Sequence, residues 1–200
     1  MPPSQFRRVT VFCGSSPGSD PRFLNAAHEL GRDLARLGIG IVYGGASVGC
    51  MGAVADGALT EGGEVIGVLT RGLADRELAH LALTRLEIVE SMHARKARMA
   101  ELGDAVIALP GGFGTFDELF EALTWAQLGI DQKPIGVLDA HEFWRPLEAM
   151  LELAERAGFL RQANRQLLSS AESLPELLAQ FEAALVTRVG SSISDSTVRP

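Results

Sequence analysis

A single acid at position 118 is the residue of this chain most able to do chemistry. It follows the run Pro110-Gly-Gly-Phe-Gly-Thr115. The apolar stretch before the glycines, residues 105–109, is short enough to be a strand buried on both faces. From Thr115 the residues Phe116, Leu119, Phe120 and Leu123 recur at helical spacing. Strand, glycine turn and helix together aim bare backbone N–H groups and a positive dipole end at an anion, and phosphate is the obvious candidate. Glu118 lies one turn into that helix. A carboxylate beside a phosphate is electrostatically costly, which points to chemistry as well as grip. Thr115 and Glu118 also have the spacing of a capping box, in which both side chains would do no more than satisfy the helix's first N–H groups.

A second cluster tilts the balance toward chemistry. Ser91-Met-His-Ala-Arg-Lys-Ala-Arg98 opens another helix with three basic residues, although positive charge in a first turn is slightly unfavourable. A carboxylate and a phosphate nearby would reverse that sign, so the basic cluster and the glycine turn account for one another. His93 is the obvious general base of the group, but at a helix start beside Ala94 it reads better as structural.

The elements that must position these groups alternate in kind. Strands are expected at residues 8–13, 39–43, 65–69, 84–89, 105–109 and 134–138. Helices are expected at 21–37, 50–60, 92–102, from Thr115, at 143–157 and at 175–186, with a short one at 75–79. That alternation predicts a Rossmann-like, doubly wound parallel sheet flanked by helices, in a single α/β domain of residues 1–189 with a loose Ser-rich tail at 190–200. Ligands of such sheets bind beyond the carboxyl ends of the strands. Three glycine turns, Gly14-Ser15-Ser-Pro-Gly18, Gly44-Gly45-Ala-Ser-Val-Gly49 and Gly111–Gly114, would converge there.

Nucleotide chemistries of two familiar kinds are excluded. The first turn lacks the G-x-G-x-x-G of a dinucleotide site, and the second strand ends without an acid for ribose hydroxyls. Neither Lys96 nor Lys133 stands in a Walker setting. The net charge is −7, and 25 acids outnumber 18 Lys and Arg, so a nucleic-acid polymer is not the expected partner. No apolar run approaches the ~20 residues of a membrane span, and no leader-like apolar segment precedes the first strand. Cys13 and Cys50 have no metal-ligand spacing and read as buried thiols of a cytoplasmic protein. No metal is expected.

Taken with Met92-His-Ala-Arg-Lys96, the run Pro110-Gly-Gly-Phe-Gly-Thr-Phe-Asp-Glu118 resembles the P-G-G-x-G-T-x-x-E and M-H-x-R-K motifs of the Lonely-guy family of cytokinin riboside 5′-monophosphate phosphoribohydrolases. The resemblance extends from Val11-Phe-Cys-Gly-Ser-Ser16 through Val42-Tyr-Gly-Gly45 to Thr124-Trp-Ala-Gln-Leu-Gly129. It implies hydrolysis of the N-glycosidic bond of a nucleoside 5′-monophosphate, AMP or an N6-modified AMP, to free base and ribose 5-phosphate, without a cofactor. It also implies a homodimer with the active site near the interface. Arg95 and Glu118 look like the family's catalytic pair. Met92, Lys96, Glu77 and Thr124 look like substrate contacts, and the loop Gly111, Gly112, Phe113, Gly114, Thr115, with Phe116 and Asp117 after it, looks like the phosphate-binding segment. The turn residues Gly14, Ser15, Gly44 and Gly45 complete the implied site, although Phe116 by its spacing suits the core or a dimer interface better. Ala46 stands where a Gly is expected in many relatives, and Asp117 where plant members often have Glu.

Two other readings compete. A lysine decarboxylase label attached to this motif is disfavoured, because pyridoxal phosphate chemistry needs a Schiff-base lysine and this chain has only Lys96 and Lys133. A non-catalytic carrier of a nucleotide or of the phosphorylated pterin of the molybdenum cofactor would share the fold and a similar glycine turn.

Overall fold

Seven strands carry the site, and their order explains where it lies. The computed structural model describes residues 5–74 and 79–195. Strands β1 (Arg8–Phe12), β2 (Gly40–Tyr43), β3 (Val65–Thr70), β4 (Arg85–Val89), β5 (Ala105–Ala108), β6 (Ile135–Leu138) and β7 (Leu168–Ala171) form one parallel sheet. The order across it is β4-β3-β2-β1-β5-β6-β7. The chain winds outward from β1 to β4, then returns beside β1 with β5 and winds the other way. β1 and β5, in register from Val9 opposite Ala105 to Phe12 opposite Ala108, therefore bracket the topological switch point, where an open α/β sheet leaves a crevice at its carboxyl edge.

The central strands are buried throughout: β2, β5 and β6 have no exposed residue. Such strands read as continuous apolar runs because helices cover both faces. On one face α1 (Pro21–Arg36), α2 (Gly49–Thr60) and α8 (Leu174–Asp195) build a core of Leu30, Leu34, Val54, Leu177 and Phe181 against Val9 and Ile41. On the other face α4 (Met92–Leu102), α5 (Phe113–Gln127) and α6 (Arg145–Arg156) bury Met99, Leu119, Trp144 and Leu151 against Phe12, Val42 and Val106. Helix α1 starts on Asp20, whose side chain accepts from the Arg22 N–H, with Pro21 in the first turn. Helix α4 starts on Ser91, whose Oγ accepts from the Ala94 N–H at 3.1 Å. Short helices α3 (Arg71–Ala74) and α7 (Gln162–Arg165) complete the set.

The doubly wound architecture matches the expectation, with four differences. Helix α5 begins at Phe113 rather than Thr115, because Gly112 takes the N-cap position in extended conformation. Strand β7 was not predicted. Its sequence Leu168-Ser-Ser-Ala171 is short and half polar, and it earns its place by pairing with β6 under α8. Helix α8 continues to Asp195, past both the predicted end at Val186 and the predicted onset of the tail at Gly190. The short helix expected at 75–79 falls mostly outside the described residues, and the turn of helix that is described lies earlier, at Arg71–Ala74.

Candidate active site

At the switch point the chain ends of β1 and β5 come almost into contact. The Gly14 N–H donates to the Pro110 carbonyl at 3.1 Å. A Cβ on Gly111 would lie 2.0 Å from the Thr115 hydroxyl and 2.8 Å from the Gly14 nitrogen, so only glycine lets the two turns approach this closely. Above them opens a cleft of about 510 Å³. Its floor is the turn from Gly14 to Ser19, and its wall is the loop from Pro110 to Thr115 and the first turn of α5.

The first turn of α5 contributes an anion cradle. Gly112, Phe113 and Gly114 are exposed, and Thr115 is buried beneath them. The first N–H groups of a helix have no acceptor within it. The nearest intrahelical bond here is Phe116 N–H to Gly112 carbonyl, so the preceding N–H groups point out of the helix end toward the cleft with the positive end of the dipole.

Glu118 and Arg95 face the same cleft from α5 and α4. Both are nearly sealed from solvent, at 5% and 4% exposure. Arg95 Nη1 donates to Glu118 Oε1 at 2.9 Å, and Arg95 Nε donates to the Val68 carbonyl at 2.9 Å. A Cβ on Gly44 would sit 2.2 Å from Arg95 Nη2, so the missing side chain on β2's exit makes the room in which the guanidinium lies. Burial pushes the Glu118 carboxyl above the ordinary carboxylate range, opposed by the Arg95 charge and its hydrogen bond. The site therefore holds a carboxylate that is desolvated yet oriented, the condition under which it acts most strongly on a developing positive charge. The capping-box reading of Thr115 and Glu118 fails, because Gly112 caps the helix without a side-chain bond and Glu118 turns instead to Arg95.

Of the residues singled out from sequence, the structure brings Gly14, Ser15, Met92, Arg95, Gly111, Gly112, Phe113, Gly114, Thr115, Asp117 and Glu118 to the cleft wall. It places five others elsewhere. Lys96 lies one residue, and hence about 100°, round α4 from Arg95 and pairs with Asp117 and Glu121 of α5 without lining the cleft. Phe116 packs edge-on against Trp144 with ring centroids 6.0 Å apart, which makes it a core residue. Thr124 is about three turns along α5 and donates its hydroxyl to the Phe120 carbonyl at 2.7 Å. Gly44 stands behind Arg95 rather than at the cleft surface. Gly45 (φ 79°) makes the turn whose carbonyl accepts from the His80 N–H. Glu77 lies outside the described residues. Ala46 is buried and does not line the cleft, so its methyl does not narrow it. His93 is exposed and also absent from the cleft wall.

Sequence reasoning missed Phe23 and Phe143, which line the end of the cleft beyond Pro17 and Gly18. Their rings meet edge to face at 5.9 Å. Phe143 carried no motif, and Phe23 looked like any apolar position of α1. Cys13 and Cys50, read as buried thiols, are buried and free, and they too border the cleft. Burial and then the proximity of Cys50 push the Cys13 thiol well above its usual range, which keeps it protonated and unreactive. Among the described residues no group of three or more His, Cys, Asp or Glu could hold a metal ion, and no helix is long and apolar enough to cross a membrane.

The fold and site define a class: a Rossmann-like α/β protein whose switch-point cleft pairs a helix N-terminus with a buried Arg–Glu couple. Comparison with known proteins narrows it. Residues 51–181 match the family model described as possible lysine decarboxylase. The cytokinin riboside 5'-monophosphate phosphoribohydrolase of Rhodococcoides fascians is 49% identical over 160 residues, covering 80% of this chain and 81% of that protein. The rice protein cytokinin riboside 5'-monophosphate phosphoribohydrolase LOG is 43% identical, covering 90% of this chain and 74% of its own. The chain belongs to this phosphoribohydrolase family. Among solved structures, the molybdenum cofactor carrier protein of Chlamydomonas reinhardtii matches with a TM-score of 0.67 at 22% identity, covering 90% of this chain and 98% of that one, and it shares the fold.

Proposed function

We propose that the protein hydrolyses the N-glycosidic bond of an adenosine 5′-monophosphate, plain or N6-modified, to free base and ribose 5-phosphate. The buried Arg95–Glu118 pair, set beside the N-terminus of α5, carries the reading. The phosphate docks on the backbone N–H groups of Gly112 to Thr115, and binding energy realised there positions C1′ toward Glu118. As the C1′–N bond lengthens, positive charge grows on the ribose ring, and the desolvated carboxylate stabilises it. Water adds its oxygen to C1′ and passes a proton to Glu118, which returns it to the departing base. Arg95 holds Oε1, so the second carboxylate oxygen is left for the water.

In the carrier reading Arg95 and Glu118 would simply contact the ligand. Incubation with AMP and with isopentenyl-AMP, followed by chromatography of free base, separates the two. Base release supports hydrolysis, and tight binding without release supports a carrier. The decarboxylase reading stays disfavoured for a reason of place: Lys96 does not line the cleft and is committed to the carboxylates of Asp117 and Glu121.

The pH dependence follows from Glu118. The mechanism uses its ionised form, and burial raises its pKa above 4.5. Activity therefore falls as the pH drops through the raised value. The acid limb of kcat/KM is expected above the range of an ordinary carboxylate, and a limb at or below 4.5 would exclude Glu118 as the titrating group.

We further propose a cytoplasmic homodimer. Phe113 is 93% and Met92 45% exposed at the cleft rim, where a second copy would cover them. Two free buried thiols suit a reducing compartment. Sedimentation equilibrium reads the assembly directly: a mass near twice 21.3 kDa is expected, and a monomer would refute it.

A further inference from the structure

Lys96 and Arg98 are the basic residues of the 91–98 cluster that the proposed reaction leaves without a task; Arg98 pairs with Glu87 and Glu101, and Lys96 reaches α5. Its side chain is only 11% exposed and does not border the cleft. Nζ lies 3.0 Å from Asp117 Oδ2 and 3.1 Å from Glu121 Oε2. Positions 117 and 121 are one turn apart on the same side of α5, and Glu118 is between them in sequence. Two sets of ion pairs, three pairs in all, thus link α4 and α5 side by side. Arg95–Glu118 is the inner one, facing the cleft, and Lys96 with Asp117 and Glu121 is the outer one. Behind Glu118, away from the cleft, a cavity of about 30 Å³ is bordered by Glu118, Lys96, Glu121, Trp125 and Lys133. Lys96 and Glu118 share that small space.

We propose that Lys96 is a positioning residue: by bridging Asp117 and Glu121 it clamps the second and third turns of α5 onto α4 and so keeps Glu118 aimed at Arg95 and the cleft. Burial works against the Lys96 charge, yet the hydrogen bonds to Asp117 and Glu121 outweigh it and hold the ammonium ionised. The same charge acts on Glu118 through protein. The groups facing Glu118 are Arg95 and Lys96 from α4, Cys13 at the end of β1, and Asp117 on its own helix. Glu121 and the Asp131–Lys133 pair border the rear cavity. Among these Arg95 and Lys96 favour the carboxylate, while Asp117 disfavours it. Loss of the Lys96 charge moves Glu118 further toward its protonated form, so the acid limb shifts to higher pH.

The inference rests on the proposed hydrolysis, and its test is built so that the two can fail separately. In Lys96→Met, kcat for base release is expected to fall about tenfold while KM stays within about twofold, because the clamp holds Asp117 and Glu121, on either side of Glu118 and beyond the Gly112 to Thr115 main chain that grips the phosphate. The acid limb should move up by about half a unit. Lys96→Arg should restore both values. If Lys96→Met does not fold, Lys96→Gln, which keeps hydrogen bonds but not the charge, should show the same limb shift. A tenfold rise in KM with kcat and the limb unchanged would place Lys96 on the substrate instead, and no change in either would remove it from the site altogether. NMR titration of the Glu118 carboxyl in the same variants needs no turnover. If the wild-type protein releases no base, hydrolysis fails on its own, and the titration still decides Lys96: an upward shift in Lys96→Met supports the clamp, and an unmoved Glu118 refutes it.

Discussion

Glu118→Gln is expected to abolish base release, by about a thousandfold or more, while nucleotide binding stays within a few-fold of wild type. The amide has nearly the shape of the carboxylate, and its oxygen can still accept from Arg95 Nη1, so the pair keeps its geometry. What disappears is the negative charge and the capacity to take a proton from water. The charge matters more here than at an exposed site. With 5% exposure, little solvent screens Glu118 from the positive charge that develops on the ribose. The anion cradle, by contrast, is main chain at Gly112 to Thr115 and does not depend on the side chain at 118. Calorimetry or quenching of intrinsic fluorescence would report binding, and chromatography of released base would report turnover. Undiminished turnover in this variant would remove Glu118 from the chemistry and leave the Arg95 pair as a structural device. Lost binding with the fold intact would show that the acid grips substrate, and the assignment of phosphate to the helix terminus would need revision.

The sheet and the cleft were largely legible in the sequence because they depend on periodicity. The apolar runs at 39–43, 65–69 and 105–109 admit few other roles, and glycine turns at strand exits must converge on one edge of a parallel sheet. Side-chain direction was less legible. Arg95 and Lys96 are consecutive in a helix, and consecutive residues point about 100° apart. Only one of them can face the cleft, and nothing in Met-His-Ala-Arg-Lys says which. Motif membership put both there. Thr124 was carried over in the same way, and nine residues beyond Thr115 on a helix is about 13.5 Å of rise, which sets it apart from the cleft of its own subunit. The cap was misjudged for a related reason. Thr115-x-x-Glu118 fits a capping box only if Thr115 is the N-cap, and the helix gains two residues because Gly112 adopts the extended conformation first. Strand β7 exists because β6 has an open edge to pair with, a tertiary cause that Leu168-Ser-Ser-Ala171 does not announce. Phe23 and Phe143 are 120 positions apart in the sequence, and only the fold sets their rings together.

Arg95→Met is expected to cost both activity and stability, and the stability loss should depend on pH in a way that identifies its origin. The substitution strands the Glu118 carboxylate in a site with 5% exposure and leaves the Val68 carbonyl without its donor. Breaking a buried pair from one side costs about 3–5 kcal/mol, because the surviving charge stays desolvated. Met fills much of the volume of the arginine stem, so cavity formation contributes little. Base release should fall at least about a hundredfold, since Glu118 loses the contact that orients it and its pKa rises further. A carboxyl whose pKa is higher in the folded than in the unfolded state binds its proton more readily when folded. Its stability penalty is absent below the unfolded value, grows as pH rises through the folded value, and is constant above it. Urea unfolding should therefore show a wide gap between wild type and Arg95→Met at pH 8 and a narrower one near pH 5. Combining Arg95→Met with Glu118→Gln should recover part of the lost stability at pH 8, because no charge is left stranded, and should recover no turnover. Equal gaps at the two pH values, with no recovery in the double variant, would mean that Glu118 is already neutral opposite Arg95. The ionised pair on which the proposed bond cleavage depends would then not exist in the free protein.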